Sequence, residues 1–201
     1  LQGLEASVIL ALGLRMEPQY MDVATKDSSG KTKPPNVFTD PESNATFLST
    51  QVQSPGYFQL ADDQALVLTI KPGDAGYFVV PVTNDWTITK NYWDQQTSLN
   101  IAQSVANADG SYTIVVSPTD PGVANWVSTG GLNQGTISIR FQDLDPTGTN
   151  LPKVSSQVVA LSDLGSVLPA GTTYVTAAQR QAALDERKAG FDKRFAPYPQ
   201  V

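Results

Sequence analysis

Cysteine and histidine are both absent from this chain of 201 residues. Their absence excludes disulfides, thiolate nucleophiles, Cys/His zinc sites and every histidine-based triad. Any catalysis would have to rest on carboxylates, lysine, tyrosine, or serine activated by lysine. Charge is scarce as well, at 16% of residues against the usual quarter. The net charge of −6 and the pI near 4.5 exclude a nucleic-acid footprint, because a phosphate-binding face needs clustered Lys and Arg. Long apolar runs are missing too. Residues 1–14 are apolar, but Glu5 interrupts them and they fall short of a membrane span, so no membrane insertion is expected. Leu4, Val8, Ala11 and Leu12 recur at helical spacing, which reads as a packed helix of a processed or truncated chain, ended by Pro18.

Neutral polar residues are abundant: Ser, Thr, Asn and Gln together outnumber the charged ones. That composition suits a β-rich protein with a neutral polar surface. Residues 26–55 hold Pro34, Pro35, Pro41 and Pro55 among short polar residues, which favour turns and solvated backbone. They read as an extended arm, and Asn44-Ala45-Thr46 within them matches a glycosylation sequon. A free arm of this composition does not bury enough to order itself. Phe38, Phe47 and Leu48 are therefore expected to dock it on a protein partner or a second copy.

From Tyr57 onward the pattern is that of strands. Residues 57–60 and 65–70 flank Ala61-Asp62-Asp63, a hairpin-like turn, and Pro81 places the run 76–82 at a sheet edge or bulge. Residues 97–105 and 111–117 face each other across a turn containing Asp109-Gly110. Residues 135–141 alternate Ile137, Ile139 and Phe141 with polar residues, so one face is buried, and 156–161 adds a further strand. Thr176-Ala-Ala-Gln179 is a capping box that opens a C-terminal helix, with Leu184, Phe191 and Phe195 on one face and Pro197 as its stop. The expected fold is all-β, an antiparallel β-sandwich of jelly-roll type with short N- and C-terminal helices. Leu66, Leu68 and Ile70, with Ile137, Ile139 and Phe141, should line its core. The chain divides into a helix and arm (1–55), the sandwich (56–175) and a C-terminal helix and tail (176–201).

Residues 117–131 join two strand-like runs with an irregular segment that holds Pro121, Gly122, Asn125, Trp126, Gly130 and Gly131. Irregular backbone of this length is costly to order and is commonly functional. With Gly56-Tyr-Phe-Gln-Leu, Gly76-Tyr-Phe-Val-Val-Pro, Asn84-Asp-Trp86, Asp120-Pro-Gly-Val-Ala-Asn-Trp126, Arg140, Gln179-Arg180 and Glu186-Arg187, roughly residues 55–195 resemble the bacterial family catalogued as domain of unknown function twelve-fourteen. The resemblance implies a β-sandwich, often at the C-terminal end of a longer chain beside a related domain. It does not extend to the first fifty residues. Leu132-Asn-Gln134 also stands where the family often has His or a further Arg. The resemblance supplies no catalytic residues.

Three constellations are candidate sites. Asp120, Asn125, Trp126 and Arg140 form either a loop pinned by hydrogen bonds over a buried indole or a shallow polar pocket for a neutral ligand such as a sugar. Arg140 is expected to pair with Asp120. Trp86, Tyr92 and Trp93 either stack on sugar rings or cover one end of the sandwich or a subunit contact. The pairs Asp62/Asp63, Asp85/Asp94 and Asp143/Asp145 suit acid–base chemistry or calcium only if they converge in space, and turn chemistry accounts for several of them. Lys153 near Ser155 and Ser156 has no distinctive spacing, and Arg180, Asp185, Glu186, Arg187 and Lys188 read as a solvated helix face. No metal or cofactor is expected. The leading reading is a non-enzymatic module acting by contact in a surface or extracellular assembly or in a larger chain. A carbohydrate-binding module is the alternative and a carboxylate-dependent hydrolase the third.

Overall fold

The computed structural model describes residues 2–27, 29–43, 48, 50–145 and 147–196, with only the backbone of Gln2 and of 16–20. Phe47, the sequon at Asn44 and the helix stop at Pro197 lie outside the described residues.

Among the described residues, eight strands fall in two sheets. The first orders β1 (Val52–Gln59), β7 (Gln134–Gln142), β3 (Tyr77–Thr83) and β4 (Ser98–Asn100), all antiparallel. The second orders β6 (Trp126–Ser128), β5 (Tyr112–Ser117), β2 (Gln64–Lys71) and β8 (Lys153–Ala160). Its β5–β6 pair is parallel, so this sheet is mixed and not wholly antiparallel as expected. The long loop after β5 returns the chain in the same direction, which a short hairpin cannot do. The short helix α2 (Leu164–Val167) follows β8, and two long helices frame the sheets: α1 (Gln2–Thr25) and α3 (Ala177–Phe195).

Alternation builds the core. Leu66, Leu68 and Ile70 of the second sheet and Ile137, Ile139 and Phe141 of the first are fully buried, together with Phe58, Phe78, Val80, Ile114 and Val116. Period-two patterning puts each trio on the face that meets the other sheet. A second cluster, Ala65, Val67, Val115, Val123, Trp126 and Leu164, lies on the opposite face of the second sheet, under the chain that follows β8.

Two expected hairpins join different sheets instead. The turn at residues 61–63 passes from β1 in the first sheet to β2 in the second. Strand β4 stops at Asn100, whose side chain and that of Gln103 form a reciprocal cap on a turn of 3-10 helix, so β4 never pairs with β5. The Asp109-Gly110 turn still forms: Asp109 Oδ1 accepts from the N–H and hydroxyl of Ser111, and Gly110 takes φ 79°. A side chain would be strained at that φ. It reverses the chain between sheets, not between neighbours. Pro81 lies between β7 and β4, not at an edge. The β3–β7 ladder is interrupted around it, pairing Tyr77–Val79 and resuming at Val82, which accommodates the missing N–H.

The arm is ordered by its own domain. Phe38 is 3% exposed in the main core, not at an intermolecular contact. The ring sits against Gly56, where a Cβ would lie 2.6 Å from Phe38 Cε1, so the bare backbone there makes the space that draws it in. Leu48 is exposed. Helix α1 does not end at Pro18 but continues to Thr25, and it is not packed along its first half. Its last turn is anchored through buried Ala24 and the backbone bond from Lys33 N–H to Thr25 O.

Candidate functional site

The loop after β5 is built around Trp126. Its indole is 9% exposed, and Nε1 donates to the Ser117 carbonyl (3.2 Å) and Oγ (3.0 Å). Asn125 ties the loop to its neighbours: Oδ1 accepts from Val105 N–H (2.8 Å), and Nδ2 donates to the carbonyls of Val105 (2.8 Å) and Thr113 (3.1 Å). Asp120 Oδ1 accepts from Gly122 N–H at 2.8 Å, closing the turn at Pro121. The side chains of Asp120, Asn125 and Trp126 are thus all engaged in bonds that hold the segment in place.

The cation of this constellation is Arg180, not Arg140. Arg140 sits on β7 between Ile139 and Phe141, so alternation turns it to solvent, opposite Gln53 and Val79. Arg180, in the first turn of α3, donates from Nε to Asp120 Oδ2 at 2.8 Å and from Nη2 to Oδ1 at 3.3 Å. Nη2 also donates to the Val123 carbonyl, and the guanidinium carbon lies 5.1 Å from the centre of the Trp126 ring. This planar fork joins carboxylate, carbonyl and aromatic face at once, a combination lysine does not match. At 8% exposure it contradicts the reading of a wholly solvated helix face. No local signal in the sequence singled it out, because the pairing depends on where α3 lands against the loop.

Arg187 departs from that reading too. Its guanidinium donates to the Ser98 carbonyl at 2.8 Å, and more weakly to Ser98 Oγ and the Tyr92 carbonyl, both at 3.4 Å. Burial lowers its pKa from the ordinary value. The rest of α3 behaves as expected, with Lys188–Asp192 and Gln181–Asp185 pairs one turn apart.

The aromatic constellation divides. Tyr92 and Trp93 pack on α3, with ring centres 5.6 Å and 5.0 Å from Phe191, which in turn lies 4.5 Å from Phe195. Trp86 stands apart at 52% exposure, near exposed Ile88, on a loop braced by Asn84 Oδ1 accepting from both N–H groups at 3.0 Å. No three-ring platform forms.

The carboxylates serve turns. Asp145 and Asp27 each accept a hydroxyl and a backbone N–H within their own loops, and these bonds hold both below the usual carboxylate range. Asp62 accepts from Asn133 at 2.8 Å and Asp85 from Gln134 at 2.6 Å. Among the described residues no group of three or more His, Cys, Asp or Glu converges to hold a metal. An open groove of about 830 Å³ runs between the end of α1, the arm and β1. Its lining mixes Lys26, Lys31 and Lys33 with Asp22, Asp27 and Glu42, and Val23 and Val37. Lys33 donates to the Pro55 carbonyl, and its half-burial lowers its pKa.

Helix α1 carries a run of exposed apolar side chains. Leu4, Val8, Ile9, Leu10, Leu12 and Leu14 each expose half or more of their area. At 100° per residue they point around the whole circumference, so no single face could bury them all. Among the described residues, no helix is long and apolar enough to cross a membrane.

No protein-family model matches the chain, and no curated protein does. Among solved structures it is similar to an uncharacterised protein of Burkholderia cenocepacia, at 27% identity and a TM-score of 0.55. That alignment covers 63% of this chain and 36% of the other. A protein of Vibrio parahaemolyticus aligns at 15% identity and a TM-score of 0.39, over 74% of this chain and 42% of the other. The chain thus spans well under half the length of both.

Proposed function

We propose that this chain is a non-enzymatic β-sandwich module of jelly-roll type, related to the domain-of-unknown-function family twelve-fourteen, that works by contact within a surface or extracellular assembly or a larger chain. Helix α1 is the observation that carries this reading. A helix apolar on all sides is a buried helix. Covering six half-exposed side chains is worth on the order of 1 kcal/mol each. The exposed first half, roughly 13 residues, is also too short to be stable alone in water. Its cover therefore comes from outside the module. The greater length of the Burkholderia cenocepacia relative is in keeping with a module that stands beside further protein.

The test is sedimentation velocity of the chain and of a Leu4→Lys/Ile9→Lys/Leu10→Lys variant across a wide concentration range. The chain should associate as concentration rises, while the variant stays monomeric with unchanged thermal stability. Equal behaviour of the two would remove the support for α1 as a contact element. The carbohydrate reading now rests on Trp86 alone, because Trp126 is buried and Trp93 is packed on Phe191.

A further inference from the structure

The edges of β1 and β8 border the same opening between the two sheets, and the arm lies in it as an irregular segment, with Asn36 in a left-handed turn at φ 64°. The side chains of Asn36, Phe38 and Asp40 bond to or pack on the domain, while Val37, Thr39, Asp40 and Glu42 line the outer groove. Asn36 N–H donates to the Tyr57 carbonyl at 2.8 Å, and the Asn36 side chain exchanges two bonds with the backbone of Gln59, at 2.7 and 2.9 Å. Glu42 and Gln53 exchange backbone bonds at 2.9 and 3.1 Å. These contacts cover the free edge of β1. On the other side, Phe38 N–H donates to Ser156 Oγ at 3.0 Å, Ser156 Oγ donates to the Asn36 carbonyl at 2.9 Å, and Asp40 Oδ1 accepts from Val154 N–H at 3.0 Å. Those cover β8.

We propose that this seam is a peptide-accepting site, filled here by residues 32–43 and able to take the same segment from a second copy of the chain. Main-chain bonds to a free edge supply affinity and alternate side chains supply specificity, as in strand-addition sites. The ligand class is a peptide of the form Asn-x-Phe-x-Asp. The asparagine reads the Tyr57–Gln59 edge, the phenylalanine fills the space over Gly56, and the aspartate caps Val154. None of these contacts depends on the arm belonging to the same chain, so another copy's arm fits identically once its own has left. An uncovered edge strand is in any case prone to pair with another chain.

The test uses two full-length variants. Phe38→Ala keeps the seam but weakens the arm, and Gly56→Leu fills the seam while releasing an intact arm. Light scattering at a concentration below the onset of association through α1, on each alone and on an equimolar mixture, should give monomers for the first two and a one-to-one complex only in the mixture. A labelled synthetic peptide of residues 32–43 should bind Phe38→Ala at least tenfold more tightly than the unmodified chain and should not bind Gly56→Leu. The same peptide carrying Phe38→Ala should lose at least tenfold. If Phe38→Ala does not fold, Phe38→Leu refolded with and without the peptide takes its place, and the peptide should raise its soluble yield. Peptide binding that is absent, or equal for all three chains, would overturn the accepting site. Peptide binding without a mixed complex would overturn the second copy as its source. Association through α1 is separate, because both variants keep α1 and the mixture is read against each alone.

Discussion

Helix α1 carries six large apolar side chains between Leu4 and Leu14 and leaves all of them in solvent. Helix α3 is rich in charge, yet it is fixed to the sheets at three levels. Arg180 clamps its first turn to Asp120 and Trp126, Arg187 holds its middle to Ser98, and Phe191 packs its end on Tyr92 and Trp93. Apolar content alone does not dock a helix. In α3 the apolar surface is small and concentrated, and long arginines carry directional bonds across to carbonyls and a carboxylate. In α1 the apolar surface is spread around the axis, so the flat side of a sheet covers only a sector of it. One helix is fixed to this domain along its length, and the other leaves its apolar first half exposed.

The strongest way to break this contrast is at the base of α3's clamp. Trp126→Ala removes a buried indole and the face on which Arg180 rests, and should cost roughly 3–5 kcal/mol in urea unfolding. A variant of full stability would show that the loop after β5 does not rest on its indole. Arg180→Ala comes next. It strands Asp120 and the Val123 carbonyl, and a loss of about 3 kcal/mol is expected, at the lower end for a broken buried pair because Asp120 is partly exposed. Arg180→Lys should recover less than half, since an ammonium lacks the fork. If lysine restored full stability, charge alone and not geometry would hold the helix. Phe191→Ala should cost about 1–2 kcal/mol, the worth of its ring pairs and partial burial, and should raise the fluorescence response of Trp93 to quenchers. The smallest effect belongs to α1, where Leu10→Lys should change unfolding stability by no more than about 0.5 kcal/mol, as for an exposed position. A large loss there would mean that α1 is packed on this domain after all.

The sequence made the sheets legible because alternation is a local signal. The trios at Leu66–Ile70 and Ile137–Phe141 turned inward as their period required, and Thr176–Gln179 capped α3. What it concealed was pairing between distant segments. Nothing local distinguishes Arg180 from Arg140 as the partner of Asp120, because the choice depends on where α3 lands. Asp62-Asp63 and Asp109-Gly110 are turns wherever they occur, and whether the flanking strands pair with each other or cross between sheets is settled by the rest of the core. The arm lacked helical or strand periodicity under its prolines, yet Asn36, Phe38 and Asp40 carry a spacing of two that matches their contacts with the domain. The same composition that suggested a free arm hid an irregular segment that docks through side-chain amide and carboxylate groups where a regular strand uses its backbone.

The central claim is that α1 lacks its cover while α3 has its own, and hydrogen exchange of the dilute monomer measures both helices in one experiment. Amides of residues 5–15 should exchange close to the unprotected rate, because a short apolar helix without tertiary contacts is open much of the time. Those of residues 181–195 should be protected toward the level of the sheets. Protection of α1 equal to that of α3 in a dilute monomer would contradict the account.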